Sequence, residues 1–290
     1  MIPLSLLLKI SLFLPLLFFP LKEKAGIPHP ETSRISDRWI TLSDGISFKQ
    51  QNTDKTDLNI LITFGGFLQP EESVRKWSDA LCSVKNTDLG IGFQIAVKGP
   101  LNDYYQQREL DLNKLIDFTD SLIALKRFAE SDIYVIGYSS GVFVFHEMLN
   151  LLNKRQEDVK SRVSGRITYF SLDGAMGKNQ GIFLTEENTR YLKKIYGVYA
   201  ESKTAGIRSA RNNDVIDLVN YYKNISELVV VNSDNSGCLK GAKWCVHESL
   251  IIKYPPLKSG LSGNYNYDFG NRGENVTDEY LNYVKRAGKK

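Results

Sequence analysis

The pentapeptide Gly137-Tyr138-Ser139-Ser140-Gly141 constrains this chain more than any other stretch. It fits Gly-Xaa-Ser-Xaa-Gly, a strand-to-helix turn so tight that residues two places either side of the serine crowd the backbone. The flanking sequence suits such a turn. Ile133-Tyr134-Val135-Ile136 is an apolar, β-branched run typical of a buried strand, and Val142 to Leu152 reads as a helix. The serine oxygen is thereby lifted clear of the sheet, at the positive end of a helix.

A serine hydroxyl is a poor nucleophile until a base takes its proton. An elbow of this kind therefore calls for a carboxylate and a histidine later in the chain, in the order serine, acid, histidine. Only three histidines exist. His29 falls in a polar, proline-containing stretch. His146 lies two turns along the elbow helix, leading away from Ser139, where a core or surface role is expected. His247 follows the last expected strand, in Lys243-Trp244-Cys245-Val246-His247-Glu248, where a loop opens at the carboxyl edge of the sheet, and it is the expected general base. Asp173, Asp234 and Glu201 each follow a strand and compete for the role of acid. Aspartates in Gly- and Asn-rich loops are also ordinary turn residues, so spacing leaves this choice open.

Around the elbow, strands alternate with helices. A hairpin is expected at Trp39 to Phe48, turning at Ser43-Asp44-Gly45, followed by strands at Leu58 to Phe64, Phe93 to Val97, Arg166 to Leu172, Ile195 to Ala200 and Glu227 to Val231. Helices are expected at Glu71 to Val84, Leu110 to Ala129, Glu186 to Lys194, Asn213 to Lys223 and Thr277 to Arg286. The alternation predicts an α/β fold with a mostly parallel central sheet covered by helices on both faces.

With 290 residues, of which 42% are hydrophobic and 24% charged, the chain is long enough for one large domain. A net charge of +4 is too mild to predict a nucleic-acid partner. Met1 to Leu21 differs in kind, being almost wholly apolar apart from Lys9. Residues 1–25 are expected to be a signal peptide or membrane anchor, 26–38 a linker and 39–290 the folded domain. Cleavage after Ala25 meets Glu23 where a small residue is wanted, so an uncleaved anchor stays open. A secreted, periplasmic or membrane-anchored location follows. In an exported chain Cys238 and Cys245 are close enough to close a small disulfide loop, leaving Cys82 as a buried free thiol. No cysteine pair has metal-site spacing with histidine support, and no metal or cofactor is expected. Tyr104-Tyr105, and Tyr265, Tyr267 and Phe269, are candidates for lining a pocket.

Several short segments resemble the pancreatic-type lipases of the α/β-hydrolase superfamily. Ile62-Thr63-Phe64-Gly65-Gly66-Phe67, with Glu71-Glu72-Ser73 and a helix reaching Cys82, is similar to that family's strand and oxyanion loop. Ser171-Leu172-Asp173-Gly174-Ala175 resembles its Gly-Leu-Asp-Pro-Ala segment, with Gly174 in place of proline. Cys245-Val246-His247 is similar to its Cys-Xaa-His, with Cys238 upstream. The sequence between these segments shows no such likeness, and no counterpart of that family's C-terminal β-sandwich is present. The resemblance implies an α/β-hydrolase fold and favours Asp173 over Asp234 and Glu201 as the acid. It also implies oxyanion donors at the backbone N–H groups of Phe67 and Ser140. The expected activity is cleavage of carboxylic esters, including lipid esters, through an acyl-Ser139 intermediate. Acyl transfer, peptide cleavage, or a non-catalytic binding protein on the same fold are the alternatives.

Overall fold

The computed structural model describes residues 38–51, 58–83, 89–100, 110–174, 184–234 and 243–251. Among these, nine strands form one sheet. β1 (Ile40–Ser43) and β2 (Ile46–Gln50) make the expected antiparallel hairpin, and β2 runs antiparallel to β4 (Ile91–Val97). From β4 the sheet is parallel, passing through β3 (Asn59–Phe64), β5 (Ile133–Tyr138), β6 (Ile167–Leu172), β7 (Leu192–Ser202) and β9 (Ser226–Asn232). The expected mostly parallel sheet is thus what the chain forms.

Alternation along the strands divides the core into two layers. Ile60, Ile62 and Phe64 of β3 and Ile133 and Val135 of β5 face one side, while Leu61, Tyr134, Ile136 and Tyr138 face the other. The helices α2 (Leu112–Ile123), α3 (Gly141–Asn153) and α5 (Asn212–Tyr221) supply side chains to the first layer, as does Val163. The second is covered by α1 (Glu71–Ser83) and α6 (Lys243–Glu248), through Val74, Trp77, Leu81 and Val246. Sheet strands buried on both faces explain why β5 reads as a near-continuous apolar run and why all six residues of β6 are buried.

Local chemistry sets the helix ends. Asp111 caps α2, its carboxylate accepting a hydrogen bond from the Lys114 N–H at 2.9 Å. Pro70 precedes α1, and Glu71 and Glu72 sit in its first turn against the helix dipole. The helix expected to reach Ala129 ends sooner. Leu125 is extended (φ −74°, ψ 137°) and a separate 3₁₀ turn spans Lys126–Phe128. That break turns Phe128 into the core, where its ring meets Phe93 at 5.4 Å.

Glu186 to Lys194 is corrected further. Only Glu187–Tyr191 is helical, as a 3₁₀ turn, and Leu192 already belongs to β7. Tyr191 and Leu192 are both buried, so this segment is held by core packing rather than helix propensity. Two elements were not foreseen. α4 (Glu157–Val163) has acidic residues in its first turn and basic ones in its last. β8 (Ile207–Arg208) pairs antiparallel with Glu201 and Ser202, beyond the residues of β7 that pair with β6. The helix expected at Thr277 to Arg286 lies outside the described residues.

Candidate active site

Ser139 sits where β5 turns into α3, with φ at 52°, in the left-handed region that a side chain adopts only at a cost of about 1–3 kcal/mol. Its N–H donates to the Leu172 carbonyl of β6 at 2.9 Å, which fixes the turn to the neighbouring strand. The elbow glycines are required by close approach. A Cβ on Gly141 would lie 2.5 Å from the carbonyl oxygens of Phe64 and Gly65, and one on Gly137 3.2 Å from Val142 Cγ1. Glycine therefore lets α3 start hard against the end of β3.

Asp173 follows β6 directly, and it too has a left-handed φ, of 42°. Its carboxylate is completely buried and is met by three donors. The His247 imidazole lies with Nδ1 2.5 Å from Oδ2. The Arg211 N–H donates to Oδ2 at 3.1 Å, and the Ser209 hydroxyl donates to Oδ1 at 2.7 Å. The unforeseen β8 accounts for the last two. By folding back along β7 past the end of β6, it delivers Ser209 and Arg211 to the strand end that carries Asp173. A lone serine in a hairpin gives no sequence signal for this task.

His247 is not in an open loop, as its sequence suggested, but near the end of the short helix α6, and it is 4% exposed. The Tyr138 ring lies 4.8 Å from its own in a tilted stack, and Trp244 meets it edge-on at 5.2 Å. With Nδ1 bonded to a carboxylate, the proton belongs on Nδ1 and Nε2 is left as the basic nitrogen. Tyr138 immediately precedes Ser139, so the imidazole is brought against the elbow. Among the described residues the Ser139 hydroxyl itself makes no hydrogen bond. Glu248, next in the chain, is pushed up to about 7 by burial.

The other carboxylates are occupied elsewhere. Asp234 accepts hydrogen bonds from the Thr204 N–H at 2.8 Å and the Ser202 hydroxyl at 3.0 Å, which hold it below the usual carboxylate range. It lies just past β9, and its carboxylate braces the turn that follows β7. Glu201 lies 3.6 Å from the Arg208 guanidinium. His146 is buried in the core, with Nε2 3.3 Å from the Tyr169 hydroxyl. His29 and the aromatic residues Tyr104, Tyr105, Tyr265, Tyr267 and Phe269 lie outside the described residues.

The two expected oxyanion donors flank the serine. Ser140 is the N-cap of α3, and Phe67 follows Gly65-Gly66 at the end of β3. A Cβ on Gly66 would lie 2.6 Å from the Tyr138 ring and 3.4 Å from Ser139 Cβ, so this loop runs directly beside the elbow. At Gly174 the chain departs from the lipase segment for a physical reason. A Cβ there would meet Val142 Cγ1 and Ser171 Oγ, both at 2.4 Å, leaving no room for a proline ring. Cys245, two residues before His247, is disulfide-bonded, whereas Cys82 is a free thiol, only partly buried by exposed area, that desolvation pushes up to about 12. Cys238 lies outside the described residues.

A parallel sheet with the serine at a strand–helix elbow, the carboxylate after the next strand and the histidine last in order is the α/β-hydrolase arrangement. No family model and no curated protein matches the sequence. Solved structures that resemble the chain include an alpha-beta serine hydrolase homologue from Coxiella burnetii, at 13% identity and a TM-score of 0.39, covering 68% of this chain and 86% of that one. Another is a dienelactone hydrolase from Anabaena variabilis, at 12% identity and a TM-score of 0.39, covering 74% and 90%. A third is the alpha/beta hydrolase MGS-M1 from a deep-sea metagenome library of the Medee basin, at 11% identity and a TM-score of 0.42, covering 71% and 83%. At such low scores the fold assignment rests on the strand order and the elbow of this chain itself.

Proposed function

We propose that this protein is a serine hydrolase that cleaves carboxylic esters through an acyl-Ser139 intermediate. The observation that carries the reading is the bond between the buried Asp173 carboxylate and His247 Nδ1, beside a serine held at a left-handed elbow. In the proposed reaction His247 Nε2 takes the Ser139 proton as Oγ adds to the ester carbonyl carbon. The resulting oxyanion is held by the N–H groups of Ser140 and Phe67, each donor lowering the barrier by roughly 3 kcal/mol. The carbon–oxygen bond to the alcohol then breaks, and the imidazolium gives its proton to the departing oxygen. Water next gives a proton to His247 as it attacks the acyl carbon; the bond to Oγ then breaks, and the imidazolium returns that proton to Oγ, releasing the acid and restoring Ser139 and neutral His247. Asp173 accepts the Nδ1–H bond throughout and stabilises the imidazolium.

Lipid esters are the finer proposal. They are supported by the lipase-like motifs and by exposed Phe67, Leu68 and Trp244, the first two on the oxyanion loop and the third against His247. A fluorophosphonate probe and a panel of nitrophenyl esters of increasing chain length test both levels. The wild type should be labelled and the Ser139→Ala variant should not. Preference for long acyl chains supports the lipid substrate, and preference for acetate overturns it. A folded protein that neither takes the probe nor turns over any ester leaves the non-catalytic binding protein as the reading; the missing hydrogen bond at Ser139 is what favours that alternative.

We further propose export, on the strength of the apolar Met1 to Leu21. No helix among the described residues is long and apolar enough to cross a membrane. Fractionation of the native cell, with intact-mass measurement, should find the protein outside the cytosol, either shortened by the leader or held at the membrane. Recovery of the full-length chain from the cytosol overturns the proposal.

A further inference from the structure

Gln69 is a buried polar residue on the loop between β3 and α1, only 2% exposed, in a stretch otherwise read only for its glycines. Its side-chain oxygen accepts the Gly66 N–H at 2.9 Å, and its own N–H donates to the Gly66 carbonyl at 3.0 Å. The two residues therefore clasp each other around Phe67 and Leu68. Two further bonds tie the clasp to the loop after β4: the Gly99 N–H to the Gln69 carbonyl at 2.9 Å, and the Leu68 N–H to the Pro100 carbonyl at 2.9 Å. Leu68 is driven to a φ of 59°, a conformation that leucine does not adopt unless its surroundings force it. No space exists to relax it from the β4 side, since a Cβ on Gly99 would fall 1.6 Å from the Gly66 carbonyl oxygen.

The Gln69 amide nitrogen is the informative atom. It is buried with no hydrogen-bond partner among the described residues. A buried donor left unpaired weakens the fold, while an apolar side chain of the same shape would remove that donor and leave the Gly66 N–H unpaired instead. Glutamine therefore brings little net stability to this place. What it provides is an acceptor that takes the Gly66 N–H and so fixes the peptide planes leading into Phe67.

We infer that Gln69 is a positioning residue for the oxyanion-binding loop, and that its side-chain oxygen sets the direction of the Phe67 N–H toward the carbonyl oxygen of the ester. The inference rests on the ester-hydrolase reading above. An oxyanion donor works only when held at hydrogen-bond distance from where negative charge develops, so a loop free to rotate loses transition-state stabilisation while ground-state binding persists.

The test compares an ester with its thionocarbonyl analogue, C=S in place of C=O, in the wild type, Gln69→Leu and Gln69→Met. Both variants keep an apolar body of similar length and remove the acceptor. Each trades one unpaired buried donor, the Gln69 amide, for another, the Gly66 N–H, so melting temperatures should stay within a few degrees. Turnover of the oxygen ester should fall about 10- to 100-fold, with KM within about two-fold. The thiono ester, whose sulfur is a weak acceptor, should lose less than about three-fold, because the donor matters little to it. Amide exchange at Gly66, followed by mass spectrometry on the folded variants, should become faster. Equal losses on both esters, or unchanged turnover in a variant whose Gly66 exchange has risen, overturn the positioning role while leaving the hydrolase reading intact. A wild type that turns over neither ester overturns both. If Gln69→Leu does not fold, the same measurements on Gln69→Met decide the matter.

Discussion

Ser139 and Asp173 each hold a left-handed backbone at the carboxyl end of adjacent strands, and each is fixed there by a backbone bond to the next strand over. The fold thus stores strain at both positions and directs the two side chains toward one edge of the sheet. Asp173→Asn should lower ester turnover about 10⁴-fold, since an amide at that place disrupts the imidazole tautomer, whereas Asp234→Asn should stay within about two-fold. Steady-state kinetics on a nitrophenyl ester distinguishes them. Gly141→Ala should cost about 1–3 kcal/mol by chemical denaturation, because the added methyl meets backbone carbonyls that cannot move aside. The sequence made the serine and the histidine legible because few residue types perform this chemistry and only three histidines were available. Ser209, Arg211 and Gln69 were not legible. They act through a backbone N–H or a single side-chain bond, and such roles leave no pattern in residue type.

At the level of elements, α6 carries the imidazole yet has only six residues, too few for a helix to persist by its own hydrogen bonds. Val246 is anchored in the core, and Cys245 is held by its disulfide. Cys245→Ser, or reduction of the wild type, should lower turnover at least about ten-fold and stability by about 2–5 kcal/mol, measured by ester hydrolysis and denaturant titration. Glu248 adds a pH dependence. Its carboxyl, pushed up to about 7 by burial from an ordinary 4.5, stays protonated in the fold between those values while the unfolded chain is ionised. The folded state binds more protons in that window, so stability falls as pH rises from 4.5 to 7 and remains lowered above it. Glu248→Gln should therefore raise the melting temperature at pH 8 and leave it unchanged at pH 4, as thermal melts across pH would show. The longer strands were legible because β-branched, apolar runs bounded by turns have few other uses. The ends of helices were not, since Leu125 and Tyr191 answer to core packing and not to periodicity.

Across the whole molecule, two apolar layers clamp the sheet, and α3 lies deep within one of them. Val142, Phe143, Val144, Phe145, Met148, Leu149 and Leu152 are all buried, as is His146. Phe143→Ala should cost about 3–5 kcal/mol, read from the shift in a denaturation midpoint. The α/β class was legible from the alternation of strands and helices. The two-residue β8 was not, because its pairing is dictated by where β6 stops. The burial of α3 has a practical corollary for anyone wishing to re-engineer the protein. A pedestal anchored by so many buried side chains cannot tilt to suit a new substrate, so selection for altered acyl or alcohol preference should accumulate changes in the connections at the rim, around Phe67, Leu68, Arg211 and Trp244, and leave the helix beneath the serine untouched.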